Sequence, residues 1–188
     1  IGNQNTTEKE FEFSADMFID CTGDGSVSAK AGASYMFGRE AKSIFGEPNA
    51  VEKSDTVTMG NSIQFRSLDA GRSVPFERPE WAHDYSNAEW AKNMKWEEIT
   101  SGYWWLEIGG TEWNCVSDAE LTRDEMLKII FGIWDYIKNH GDQKEKAANY
   151  YLDWVSYVPA KRESRRIKGD YVLTENDVLE NRMFDDAI

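Results

Sequence analysis

The sequence predicts an α+β fold, with a small, mainly antiparallel sheet, a helical hairpin, and a separate strand-loop-helix unit near the N-terminus. Three observations favour this class: short runs rich in β-branched and aromatic residues, stretches with apolar residues at helical spacing, and a glycine turn between an apolar run and a helix-compatible segment. With 188 residues, the chain is long enough for one domain with a hydrophobic core.

The strand-loop-helix unit comes first. Residues 10–13 alternate polar and apolar side chains, which predicts a strand, either single or in a hairpin. The apolar run 15–21 predicts a second strand, which ends at the glycine turn 22–25. The small residues at 26–33 are compatible with a helix, so we expect the turn to lead directly into a short helix.

Two strands of a second sheet are predicted in the middle of the chain. Residues 38–55 lose periodicity and form a connection. The segments 56–68 and 103–108 are rich in β-branched and apolar residues, which is typical of strands. Between them we expect an elaborated loop with a helical patch at 87–94.

The strongest helix signal begins at Thr122, where Thr122 and Glu125 fit a capping box. Apolar residues repeat at helical spacing from 126 to 137, and Gly141 suits a left-handed stop. A second helix is predicted from about 145 to 156, since its apolar residues also share one face and Pro159 follows. The two helices would form the hairpin.

The C-terminal part contains a basic stretch at 161–168, a short strand predicted at 169–173, and a helix cap predicted at 174–177.

Composition excludes several classes of function. A net charge of −13 disfavours binding to nucleic acid or to an anionic membrane surface. No apolar stretch is long enough to span a bilayer, and the two cysteines show no metal-ligand spacing. We therefore expect no metal site, while cytoplasmic and periplasmic locations and the oligomeric state stay open. Because the sequence begins at Ile1 without methionine, we expect an upstream segment.

The first candidate site is the turn formed by Thr22, Gly23, Asp24 and Gly25. A strand that ends in such a turn and opens a helix brings backbone amides close to a ligand, which suits a phosphate or a ribose. Taken alone, a glycine turn between strand and helix is more often structural than ligand-binding.

The second candidate site is the basic cluster with Arg162, Arg165 and Arg166. Guanidinium groups form planar, bidentate contacts with a carboxylate or a phosphate. The alternative is a solvated loop paired with the surplus acids of the chain. The local reversal of charge sign favours the functional interpretation.

Histidines and tryptophans are weaker candidates. His140 lies where a helix is expected to end, which favours a capping role, and His83 has no assigned role. Tryptophans at 81, 90, 96, 104, 105 and 113 would form either a carbohydrate-stacking platform or core, and the core interpretation is favoured.

Two segments resemble a known family. Residues 15–40 resemble the strand, TGDG loop and AGA-containing helix of bacterial FAD-dependent oxidoreductases, and residues 162–178 resemble their RESRR segment. The stretches 59–62, 104–107 and 133–141 are also similar to family segments. The resemblance therefore touches most of residues 15–188.

The resemblance implies a glutathione-reductase-like FAD fold with an inserted substrate domain. Residues 1–40 would be a remnant of the FAD-binding domain, 41–160 the substrate or cap domain, and 161–188 a segment that returns toward the FAD site. The chain would be an internal fragment, since it has neither the GxGxxG fingerprint nor the C-terminal glycine-rich segment that faces the flavin.

The resemblance also implies roles for the two candidate sites. Thr22, Gly23, Asp24 and Gly25 would lie against the FAD, with Asp24 either accepting a hydrogen bond or holding the loop. Arg162, Arg165 and Arg166 would be catalytic, stabilising an anionic small-molecule substrate or the negative charge of reduced flavin. The parent enzyme would catalyse flavin-mediated hydride transfer, while the fragment alone would be inactive and bind FAD weakly or not at all.

Two alternatives belong to other classes of protein. One is a non-catalytic, tryptophan-rich module that binds a glycan or a protein, which exposed coplanar tryptophans would favour. The other is a structural insert used for oligomer contacts.

Overall fold

The structure, a computed structural model, describes residues 1–4, 7–93, 99 and 106–185. Its strands are β1 (Gly2–Gln4), β2 (Lys9–Phe11), β3 (Tyr35–Phe37), β4 (Asn61–Ser62), β5 (Phe65–Asp69), β6 (Glu107–Ile108), β7 (Tyr150–Val155) and β8 (Arg165–Ile167). Its helices are α1 (Ser26–Lys30), α2 (Lys42–Phe45), α3 (Glu89–Asn93), α4 (Ala119–Asp135), α5 (Lys144–Ala147) and α6 (Glu175–Leu179), and a π-helical turn, Tyr136–His140, continues α4.

The strands pair as two-stranded antiparallel ribbons: β1 with β2, β3 with β8, β4 with β6, and β5 with β7. This arrangement confirms the predicted α+β class with small antiparallel sheets. None of the helices in the described part of the chain is long and apolar enough to cross a membrane.

The core lies where α4 packs on the β5–β7 ribbon. Met126, Ile130, Ile133 and Trp134 of α4 are fully buried, and the Trp134 ring meets Phe65 of β5 edge-on at 5.6 Å between centroids. Buried apolar side chains at this spacing stabilise the helix through packing, so the predicted amphipathic helix is confirmed.

The predicted start of this helix is wrong, and its predicted end at Gly141 is right in position but wrong in conformation. Helix α4 begins at Ala119, so Thr122 lies buried in its first turn instead of capping it. At the other end the Gly141 amide donates to the Tyr136 carbonyl oxygen, five residues earlier, at 2.7 Å. Gly141 itself has φ −78° and ψ 170°, an extended and not a left-handed conformation.

The second arm of the predicted helical hairpin is also wrong. Only Lys144–Ala147 is helical, and half of the segment predicted as helix, 145–156, is strand β7. Tyr150, Tyr151 and Val155 favour strands, and β5 offers them a partner along its whole length. Pairing therefore outweighs the helical spacing.

A buried lysine holds this region together. The Lys138 ammonium donates to four carbonyl oxygens, those of Val74, Ala147, Ala148 and Tyr150, at 2.7, 2.8, 2.9 and 2.8 Å. One side chain thus joins the π-helical turn to α5, to the start of β7 and to the loop after β5.

The N-terminal unit is confirmed in part. β1 and β2 form a hairpin, of which β2 covers residues 10–11 of the predicted segment 10–13, and α1 covers residues 26–30 of the predicted helix 26–33. The strand predicted at 15–21 is wrong, because none of the described segments pairs with it and its apolar residues Met17, Phe18 and Ile19 are exposed. A strand needs a hydrogen-bonded neighbour.

The remaining predictions fall close to observed elements. β4 lies within 56–68, and β5 begins there and ends one residue beyond it, at Asp69. β6 lies within 103–108 and α3 within 87–94, although residues 94 and 103–105 are outside the described part. The C-terminal strand was predicted too late. It is β8, within the basic stretch, because β3 pairs there.

The predicted cap at Thr174 is confirmed. Thr174 and Asp177 form a capping box at the start of α6.

Candidate functional site

The glycine turn at 22–25 has a backbone that other residues rarely adopt. Gly23 and Gly25 have φ of 75° and 61°, in the left-handed region, and Gly25 immediately precedes α1. Two left-handed residues fold the chain tightly between the extended segment and the helix.

Asp20 and Thr22 satisfy two of the free amides at the start of α1. The Asp20 carboxylate accepts hydrogen bonds from the Thr22 amide, the Thr22 hydroxyl and the Ser28 amide at 3.0, 2.7 and 2.8 Å. The Thr22 hydroxyl oxygen accepts from the Ser26 amide at 2.8 Å. Hydrogen bonds from the Ser28 backbone and from Thr22 lower the pKa of Asp20.

Asp20 was missed by the sequence reasoning. An aspartate two residues before a threonine, just ahead of a helix, is typical of a local turn in which the side chain binds nearby backbone amides. That signal was present in the sequence.

Asp24 and Arg165 form an ion pair, the Asp24–Arg165 bridge, that joins the turn to β8. Arg165 donates from Nε to the Asp24 carbonyl oxygen at 2.8 Å and from its NH2 group to the Asp24 carboxylate at 3.0 Å. The same NH2 group donates to the Ser26 hydroxyl oxygen at 2.9 Å, and that hydroxyl donates to Asp24 at 2.7 Å. Residues 141 positions apart are thus held in one network.

The bridge is shielded from solvent. The side chains of Asp24 and Arg165 are 6% and 15% exposed, and the Lys161 ammonium lies 4.0 Å from the carboxylate. Burial opposes ionisation of Asp24, but hydrogen bonds, with that from Ser26 foremost, and the charge of Arg165 together keep its pKa below the usual value. The carboxylate is placed to hold the loop.

The two glycines also allow residues 161–167 to approach the turn. A Cβ on Gly23 would lie 2.6 Å from the Lys161 carbonyl oxygen, and one on Gly25 would lie 2.8 Å from the Ile167 side chain. Side chains at these positions would push the turn and β8 apart. The glycines are therefore explained by packing within the chain.

The three arginines predicted as catalytic point to three different acids. Arg162 donates to Glu107 of β6 at 2.6 Å, and Arg166 pairs with Glu40 just after β3. Only Arg165 of the three reaches the glycine turn. Successive strand residues face opposite sides of a ribbon, so the side chains of Arg165 and Arg166 point in different directions. Each of the three arginines pairs with an acid, as the alternative interpretation of this cluster predicted.

A pocket of about 310 Å³ lies beside the bridge and is called here the junction pocket. Its lining residues are Tyr35, Phe37, Arg165, Asn114, Val116 and Ser117. Phe37 pairs with Arg165 across the β3–β8 ribbon, and the short segment 114–117 precedes α4. The lining comes from all three predicted parts of the chain, and ligand sites are frequent at such junctions.

A second pocket, of about 300 Å³, lies at Arg166. It is also lined by Met36, Glu40, Phe45 and Glu47, so its charged groups include two carboxylates and one guanidinium. Met36 and Arg166 pair across the β3–β8 ribbon and face the side opposite to Phe37 and Arg165. This pocket therefore lies on the side of the ribbon away from the glycine turn.

Trp81 and Trp90 of the predicted platform are 53% and 44% exposed, so the favoured core interpretation is wrong for these two, although each packs against a neighbouring ring. Trp81 meets Phe131 at 5.0 Å with planes tilted by 57°, and Trp90 meets Tyr85 edge-on. Trp96, Trp104 and Trp105 lie outside the described residues.

The histidines pair with acids. His140 lies 3.3 Å from Asp135 at the end of the π-helical turn, and His83 pairs with Glu125 of α4. Neither contact belongs to the junction pocket.

Comparison with known proteins identifies the family. The model of the family described as FAD dependent oxidoreductase matches residues 2–188. Among proteins with curated descriptions, and among solved structures, none matches the chain. Because the family match covers nearly the whole sequence, the chain belongs to the FAD-dependent oxidoreductase family.

Proposed function

We propose that this chain forms one wall of the flavin site of an FAD-dependent oxidoreductase and carries the domain that binds a small-molecule substrate, for flavin-mediated hydride transfer. The observation that supports this most is the Asp24–Arg165 bridge. The bridge brings the glycine turn and strand β8 together beside the junction pocket, although the two segments are far apart in sequence.

The start of α1 does not fit a pyrophosphate. Its amides at Ser26 and Ser28 already donate to Thr22 and Asp20, and the Asp20 carboxylate would repel a second anion. The 188 residues also contain no GxGxxG sequence. Pyrophosphate binding is therefore not assigned to these residues.

The outer side of the turn fits a different part of the cofactor. Thr22 and Gly23 are exposed, whereas Asp24 behind them is buried and held by the bridge. A rigid, side-chain-poor surface of this kind suits contact with a flat ring or with the ribityl chain.

When bound, FAD supplies the hydride acceptor. The chain's own residues would position and shield. Arg165 holds the turn, while Tyr35 and Phe37 line the pocket and would keep water away from one side of the substrate. Arg162 remains a proposed stabiliser of the negative charge of reduced flavin, acting from its ion pair with Glu107. Arg166 pairs with Glu40 on the side of the β3–β8 ribbon away from the glycine turn, so this role is not assigned to it.

Chemical-shift mapping with two flavins tests this proposal. The ¹⁵N-labelled chain is titrated with riboflavin and, separately, with FAD. We expect both to shift the amide signals of Thr22 and Gly23, with weak and similar affinities, because the pyrophosphate gains no partner here. The exposed left-handed Gly71, far along the chain on the β5–β7 side, serves as a reference signal that should not move.

Two results would contradict the proposal. Absence of shifts at the turn would remove the flavin contact. An FAD affinity far above that of riboflavin would show that the chain holds the pyrophosphate after all.

A further inference from the structure

The charge around the junction pocket is balanced. Arg165 is the charged residue in its lining, and its guanidinium is already bound to Asp24. Behind the opposite wall, the Asp118 carboxylate accepts from the Ser117 hydroxyl at 3.2 Å and from the Asn114 amide at 2.9 Å. Among these residues and Lys161 beside the bridge, two cations face two carboxylates.

From this balance we infer that the junction pocket binds a neutral ring compound that carries hydroxyl groups, such as a pyranose, and not an anion. The inference rests on the proposed function only in calling this compound the substrate. It differs from the expectation that free arginines would attract an anionic substrate, because none of the three arginines is free of a carboxylate partner.

An anion in this pocket would gain no net attraction from the balanced charges around it. To reach the Arg165 guanidinium it would have to share it with the Asp24 carboxylate, at a site where the Arg165 side chain is only 15% exposed. The anion and the Asp24 carboxylate would then repel each other at close range. Asp118, bound to the lining residues Ser117 and Asn114, offsets the positive charge of Lys161.

The uncharged lining suits a ring with hydroxyls. Tyr35 and Phe37 are two residues apart on β3, so their rings lie on the same face of the ribbon, and Tyr35 is 46% exposed. On the facing wall Ser117 offers a hydroxyl. Asn114 offers its side-chain NH2 group, which has no hydrogen bond to another residue in the described part of the chain. The side-chain oxygen of Asn114 accepts from the Val116 and Ser117 amides. Aromatic faces with a few polar groups are the usual lining of such sites.

Matched sugars test the inference without any flavin. The labelled chain is titrated with glucose and glucuronate, and with galactose and galacturonate, which share a ring and differ in charge. We expect at least one neutral sugar to shift the signals of Tyr35, Phe37 and Ser117 and to bind about tenfold more tightly than its uronate. Equal or tighter binding of the uronates, or no binding by any of the four sugars, would overturn the inference.

Two variants locate and explain the effect. Tyr35→Ala should abolish the sugar-induced shifts, whereas Tyr157→Ala, at an exposed tyrosine outside the pocket, should leave them unchanged. Asp24→Asn should strengthen uronate binding about tenfold, because it releases the charge of Arg165. If that variant does not fold, the comparison of neutral and anionic sugars on the unaltered chain still decides.

The flavin and sugar titrations fail separately. Sugar binding without flavin-induced shifts at the glycine turn would contradict the proposed function and leave the pocket's ligand class standing. Flavin-induced shifts without sugar binding would overturn the inference about the pocket's ligand and leave the proposed function standing.

Discussion

Replacement of Asp24 tests the physical basis of the site. In Asp24→Asn the side chain keeps its size and can still accept from Ser26, but it loses the charge that pairs with Arg165 and Lys161. Breaking one side of a shielded ion pair leaves the other charge without compensation, which costs about 3 kcal/mol. We expect the free energy of unfolding to fall by about 2 to 3 kcal/mol, since Arg165 keeps some access to water.

A double-mutant cycle isolates the pair itself. Asp24→Asn, Arg165→Met and the double variant are compared by urea denaturation followed by circular dichroism. We expect a coupling energy of about 2 kcal/mol, because a charge-assisted hydrogen bond in a shielded position contributes about that much.

The surface pair Arg66–Asp153 provides the matched control. Its side chains are 60% and 24% exposed, and such pairs couple by less than about 1 kcal/mol. If the Asp24–Arg165 coupling is no larger than that of Arg66–Asp153, the bridge does not join the turn to β8 as argued.

Three further predictions follow from the same structure. Acid should destabilise the protein as the pH falls below about 4, because the pKa of Asp24 is lower in the folded chain than in the unfolded chain. The stability that the Asp24 carboxylate contributes above the unfolded pKa is lost when it is protonated. Asp24→Asn should therefore flatten the measured pH dependence of the free energy of unfolding, and an unchanged curve would contradict this. Gly23→Ala should cost about 2 kcal/mol more than Gly32→Ala in chemical denaturation, since both glycines have positive φ but only the Cβ at 23 would strike backbone; equal losses would refute the close approach. Lys138→Met should cost about 3 kcal/mol, against less than about 0.5 for the exposed Lys144→Met, because four carbonyls lose their donor; similar melting temperatures for the two variants would contradict the role of Lys138.

Local signals in the sequence predicted what local forces decide. Helix α4 was predicted because its apolar residues repeat at helical spacing, and α6 because Thr174 and Asp177 lie at capping distance. The glycine turn was predicted from residue type alone. Each of these features depends on residues within a few positions of one another.

Long-range pairing explains the errors. Residues 150–155 have both helical spacing and strand-forming side chains, and the presence of β5 decides between them. Residues 15–21 carry the composition of a strand but lack a partner in the described chain. Periodicity cannot show which segments meet.

At the candidate site, too, local features could be predicted from the sequence and long-range contacts could not. The types of residue at the turn and in the arginine cluster were apparent from the sequence, but the acid that each arginine would choose was not. With 34 acidic residues in the chain, the partners of three arginines cannot be chosen without tertiary structure. The diverging directions of Arg165 and Arg166 depend on the register of β8 with β3.

The central claim is that the glycine turn and strand β8, which are far apart in sequence, form one packed unit. A nuclear Overhauser measurement between the Gly25 α-protons and the Ile167 δ-methyl group tests this claim most directly, because an atom added to Gly25 would lie 2.8 Å from that methyl carbon. The account predicts a strong cross-peak in the folded chain at neutral pH. A folded chain without that cross-peak would show that the turn and β8 lie apart, and the proposed site would lose its basis.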